Sequence, residues 1–121
     1  MNYVYIHPEY LDSVSSGDAD IVKELVDLFK AQVDDTEKEM RVLLQKKDYN
    51  SLGLLAHKAK SSVLIMGMND LGALLKTFEL QAREGIESDK YESYINRFAH
   101  DTCEAVKELD DLVHKRFNKN E

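Results

Sequence analysis

Tryptophan is absent from this 121-residue chain, proline and cysteine occur once each, and there are only five glycines. After Pro8 there is no obligatory helix breaker, so the spacing of apolar residues decides between helix and strand. The single Cys103 can form no internal disulfide and offers no C-x-x-C metal or redox spacing, which suits a reducing compartment; the cytoplasm is the expected location. No run approaches the roughly 18 apolar residues of a membrane span. The opening MNYVYIHPEY has neither the basic nor the apolar region of a signal peptide. Basic residues are in the minority, 16 Lys plus Arg against 23 Asp plus Glu. The formal charge of -7, with no local basic run, argues against nucleic acid and anionic bilayers as partners.

What is present points to a globular protein. Apolar residues make up 43% of the chain and charged residues 32%, enough for one core and one domain over residues 1–121. The apolar positions recur at helical spacing. A short helix is expected from about Pro8 to Val14, then a turn at Ser15-Ser16-Gly17 with Asp18 as N-cap. A long helix follows to about Lys46, with the stripe Ile21, Val22, Leu25, Phe29, Val33, Met40, Leu43 and Leu44.

Asp48 caps a third helix carrying Leu52, Leu55, Ala59, Val63 and Met66, which Gly67 closes. A fourth helix starts at Asn69 or Asp70 and presents Leu71, Leu74, Leu75, Phe78 and Ala82 before Gly85. A fifth, after Ser88, presents Tyr91, Ile95, Phe98, Val106, Leu109, Val113 and Phe117, with Cys103 packing at the edge of its stripe. Long amphipathic helices joined by short turns predict an all-α fold, an up-down antiparallel four-helix bundle with a short additional N-terminal helix.

One residue breaks the pattern. On an ideal helix His57 lies about 160° from the centre of the third helix's apolar stripe, on its solvent face. Gly53, Lys60, Ser61 and Leu64 fall on the same face by the i, i+3, i+4, i+7 rule. Neutral imidazole is nucleophilic near pH 7 without special activation. Lys60 would attract a phosphoryl group on the ring, small residues at 53 and 61 would admit a partner's active site, and Leu64 would offer that partner apolar surface. The bland alternative is an ordinary surface histidine beside a solvated lysine.

The run Leu55-Ala56-His57-Lys58-Ala59-Lys60-Ser61-Ser62, with Gly67 ten residues after the histidine, resembles the signature of histidine-containing phosphotransfer (HPt) domains. The similarity extends to Gly17-Asp18 opening a long helix with Leu25, Leu28 and Phe29, to Asp48 before the histidine helix, and to Phe78-Glu79 after it. Three positions depart from the family pattern: Ser61 replaces the usual glycine, Ala59 a larger apolar residue, and Leu64 a small or polar one.

The resemblance implies a phosphocarrier without ATP-dependent kinase activity. His57 would take a phosphoryl group from a receiver-domain aspartyl phosphate, or from a sensor or hybrid histidine kinase, and pass it to another receiver. No cofactor of its own is expected, Mg²⁺ coming with the receiver, and the carrier would work as a monomer. Lys60 would stabilise phosphoryl charge, while Lys58, on the other flank, would contribute docking charge. Glu79, at the flank of the fourth helix's stripe, either accepts a hydrogen bond from the inner ring N–H of His57 or forms a surface pair with Arg83.

Two competing functions remain on sequence grounds. One is a non-catalytic helical interaction module, a degenerate member of the family. The other is a carboxylate-bridged metal enzyme, for which Asp111-x-x-His114 supplies one acid–histidine pair where two are needed, so no metal site is expected. His7 before Pro8, outward-facing His100 and His114 near the end of the last helix lack the lysine and small neighbours found at His57.

Overall fold

The computed structural model describes residues 3–117, with the Phe117 side chain, a sequence-predicted core position, outside the described residues. The helices are α1 (Pro8–Ser15), α2 (Ala19–Gln45), α3 (Tyr49–Ile65), α4 (Asn69–Glu84) and α5 (Tyr91–Phe117), with a short 3₁₀ turn at Ser88–Lys90 leading into α5.

The local chemistry explains the boundaries. Pro8 occupies the first turn of α1, where a missing N–H costs nothing. Asp18 caps α2, its carboxylate accepting from the backbone N–H groups of Asp20 and Ile21, and Asp48 caps α3 by accepting from that of Ser51. Gly67, at φ 78°, makes the left-handed turn between α3 and α4; a side chain there would run into His7.

Antiparallel packing is legible in the cross-helix contacts. Along the α3–α4 seam Gly53 faces Arg83, His57 meets Glu79, and Leu64 lies over Gly72, so the numbering runs in opposite directions on the two helices. Across α2 and α5, Lys30 bonds to Asp110 and Arg41 to Asn96 in the same opposed sense. These four helices form the up-down bundle, and α1 lies against α2 and α3. The rings of Phe78 and Tyr91 meet inside it, partly buried Tyr94 packs against Phe78, and Val22, Val26, Met40, Leu52, Leu75, Ile95, Phe98 and Leu109 fill the core. Met40 and Met66 are buried filler, as expected.

The stripes differ from expectation in two places. Ile21 is exposed, and Val26 takes an inward position with Val22 and Phe29, one turn of α2 on either side. Cys103 is exposed rather than packed. Phe98, Thr102, Ala105, Leu109 and Leu112 trace the inward face of α5 at spacings of three and four, which turns residue 103 out. Thr102 is tolerated inside because its hydroxyl donates to the Phe98 carbonyl at 2.7 Å.

The segment before α1 is tied down by α5. Glu108 accepts from the backbone N–H groups of Val4, Tyr5 and Ile6 at 2.9, 2.9 and 3.1 Å. The Tyr3 hydroxyl donates to Asp111 at 2.8 Å, and Arg116 forks onto both carboxylate oxygens of Asp12. Burial, with the neighbouring carboxylates of Asp111 and Glu108, pushes the Tyr3 hydroxyl up to about 12.

Candidate functional site

His57 projects from the middle of α3 with 55% of its side chain exposed. Its Nδ1 lies 3.0 Å from Oε1 of Glu79 on α4. Only 8% of the Glu79 side chain is exposed, and its carboxylate gathers two further cations. Lys60 Nζ stands 3.7 Å from Oε1, and Arg83 Nη1 3.5 Å from Oε2.

Burial pushes the Glu79 carboxyl up, but the hydrogen bond with His57 and the charges of His57, Lys60 and Arg83 outweigh it, so it titrates below the usual carboxylate value of 4.5. At neutral pH the carboxylate is ionised and can only accept. The proton of the shared bond therefore sits on Nδ1, a tautomer assigned from the network, which leaves the lone pair of the neutral ring on Nε2. A nucleophilic nitrogen is thus turned away from its orienting partner and toward solvent.

The structure brings His57, Lys60 and Glu79 together. Glu79 bonds His57 and also pairs with Arg83, as a buried carboxylate rather than a surface one. Lys60 is not a freely solvated lysine; it is folded against Glu79 with 21% of its side chain exposed. Lys58 is exposed on the other flank, beside Asp35 and Glu39 of α2 around a hollow of about 200 Å³. Ser61 is exposed. Leu64 is 38% exposed and borders an open apolar hollow of about 530 Å³ with Tyr10, Val14 and Ile65.

Gly53 corrects the sequence expectation. It does not share the open face of His57 but is buried against Glu79 and Arg83 of α4. The helical-wheel argument assumed one buried stripe, whereas α3 packs on both α2 and α4, and the wider buried arc takes in Gly53 and Ala56. Arg83 was visible in the sequence only as a helical neighbour of Glu79; its place at the site depends on the seam.

A second imidazole partly echoes the first. His100 Nδ1 lies 3.0 Å from Asp101, whose buried carboxylate also accepts from Arg97 Nε at 2.6 Å. Here the carboxylate comes from the adjacent residue, and the position four residues on is Glu104 instead of a small residue. Asp111 is engaged by Tyr3 and Lys115, and among the described residues no group of three or more His, Cys, Asp or Glu side chains could hold a metal ion. Among them, too, no helix is long and apolar enough to cross a membrane.

The site is thus an exposed imidazole on a four-helix bundle, backed by a buried carboxylate and two cations. The family model of the Hpt domain matches residues 24–115, and the chain belongs to that family. The matched span reaches from α2 into α5 and contains His57, Lys60 and Glu79, while α1 lies before it. Hpt domains take part in phosphorelay histidine phosphotransfer and are phosphocarrier modules, not kinases. Neither the curated proteins nor the solved structures give a match.

Proposed function

We propose that His57 is the phosphoacceptor of a two-component phosphorelay. It takes the phosphoryl group from the aspartyl phosphate of a receiver domain, or from a histidine kinase, and gives it to another receiver. The observation that carries this reading is the bond of His57 Nδ1 to buried Glu79 at 3.0 Å on a ring that remains 55% exposed. Nε2 attacks phosphorus; the N–P bond forms, the acyl O–P bond breaks, and the receiver's carboxylate departs with the bonding electrons. The Nδ1 proton stays on the ring, where Glu79 balances the charge that builds up.

Phosphoryl transfer places most of its demand on positioning and charge stabilisation. Lys60, held at Glu79 beside the ring, supplies positive charge for the phosphoryl oxygens, and Arg83 adds a second positive charge at the same carboxylate. The receiver supplies Mg²⁺ with its acidic pocket, so the carrier needs no cofactor of its own. Ser61 leaves room beside the ring, Leu64 gives the receiver apolar surface, and Lys58 supplies docking charge. The carrier works as a cytoplasmic monomer in this reading.

The reading is tested by incubating wild type and His57→Gln with a phosphorylated receiver. Label should move to the wild type, disappear in acid, and be missing from the variant. A variant labelled as fast as wild type moves the acceptor elsewhere. Receiver binding without any label favours a non-catalytic docking module.

A further inference from the structure

Gly53 sits one helical turn before His57, where α3 crosses α4. A Cβ on it would stand 2.9 Å from Arg83 Cγ, 3.0 Å from the Glu79 carbonyl oxygen and 3.3 Å from the Arg83 backbone nitrogen. The first neighbour is the base of the Arg83 side chain, which cannot clear the Cβ without taking its guanidinium off Glu79, and the other two are main chain of α4, which yields only if the helices part. The other close glycine of the seam differs: the three atoms nearest a Cβ on Gly72 all belong to the Leu64 side chain, at 2.6, 3.1 and 3.8 Å. That contact is relieved by a rotamer change.

We infer that Gly53 is a positioning residue for the phosphoacceptor: its missing side chain sets the α3–α4 separation at which the Glu79 carboxylate reaches His57. The same vacancy lets the Arg83 stem lie across α3 with its guanidinium on the other oxygen of Glu79. The inference rests on the carrier reading and adds to it the element that fixes the reach of its orienting carboxylate. Helix propensity alone favours alanine over glycine in a helix interior. At position 53, therefore, substitution by alanine sets local helix stability against site geometry. The geometric displacement is a few tenths of an ångström, applied to a hydrogen bond of 3.0 Å that orients the nucleophile.

The experiment follows phosphorylation of His57 by phosphoramidate, a small donor that needs no docking surface, using intact mass and acid lability. Wild type, Gly53→Ala, Gly72→Ala, Glu79→Ala and the Gly53→Ala/Glu79→Ala double variant are compared, each with its thermal midpoint. Gly53→Ala is expected to slow phosphorylation about tenfold, Gly72→Ala to stay near wild type, and the double variant to be no slower than Glu79→Ala. Glu79→Asp approaches the same geometry from the other helix by drawing the carboxylate back one methylene; it should show a comparable loss even if Gly53→Ala folds poorly. Wild-type rates in Gly53→Ala or Glu79→Asp overturn the inference, as does a Gly53→Ala loss that persists in full without the Glu79 carboxylate. A wild type that takes up no acid-labile phosphate defeats the carrier reading itself.

Discussion

Glu79 stands opposite His57 across the α3–α4 seam, its Oε1 3.0 Å from the ring Nδ1, in the same antiparallel register that sets Arg83 against Gly53 and Gly72 against Leu64. The carboxylate is therefore placed by helix packing and not by a flexible loop. In the proposed carrier the nucleophile inherits the rigidity of the bundle, and its reactive nitrogen is chosen by a bond formed on folding.

Stability should follow the titration of this carboxylate. His57, Lys60 and Arg83 face Glu79 and hold its folded-state value below the usual 4.5. A depressed folded value means that the stabilisation is fully present above the unfolded value and is lost as pH falls through the folded one. Chemical denaturation of wild type and Glu79→Gln across pH 2–7 should show wild type ahead near neutrality, with the gap closing below about 4.5. A gap that is constant with pH would mean that Glu79 is not ionised in the folded protein.

Lys60→Ala should slow transfer to and from His57 by about ten- to a hundredfold. Its effect on stability should be a modest loss, on the order of 1 kcal/mol, because it removes one of the cations that compensate the buried Glu79 carboxylate while alanine remains a good helix former. Rapid-quench transfer kinetics paired with thermal melts separate the two. Unchanged kinetics would leave Lys60 as a partner of Glu79 alone.

Leu64→Asp places a negative charge on the apolar surface that borders the hollow with Tyr10, Val14 and Ile65. In the carrier reading receiver affinity should fall about tenfold or more by calorimetry, because the charge would repel the acidic pocket of a receiver docked on this face. Phosphorylation of the variant by a small donor should be preserved. Unaltered affinity would move the docking face elsewhere.

Glu108→Ala should release the segment before α1, since one carboxylate satisfies three backbone N–H groups there. A loss on the order of 2 kcal/mol is expected, with early hydrogen exchange at Val4, Tyr5 and Ile6. Slow exchange at those amides in the variant would show that Ile6 burial alone holds the segment.

The sequence revealed those features that repeat with the helical period. Five helices, the caps Asp18 and Asp48, the turn glycine Gly67 and the outward direction of His57 all follow from spacing within one helix. Of the features that depend on two helices meeting, only the reach of Glu79 to His57 was read, and that as one of two alternatives. Gly53 looked outward because a single wheel cannot register a second packing partner, and the pairing of Lys60 with Glu79 went unread because Glu79 lies 19 positions along the chain. Glu108 left no trace, since a side chain that binds main-chain N–H groups more than a hundred residues away has no local pattern. Buried Asp101 was missed as well: its carboxylate is compensated by Arg97 and His100 of its own helix, at a position that the apolar stripe does not mark.

The most direct test of the central claim is to determine which ring nitrogen carries phosphorus. Wild type is phosphorylated by a receiver and examined by ³¹P and ¹H–¹⁵N NMR with His57 assigned. The predicted result is a single phosphohistidine with phosphorus on Nε2 and the Nδ1 proton still held by Glu79. Phosphorus on Nδ1, or on His100 with His57 unmodified, would contradict the account.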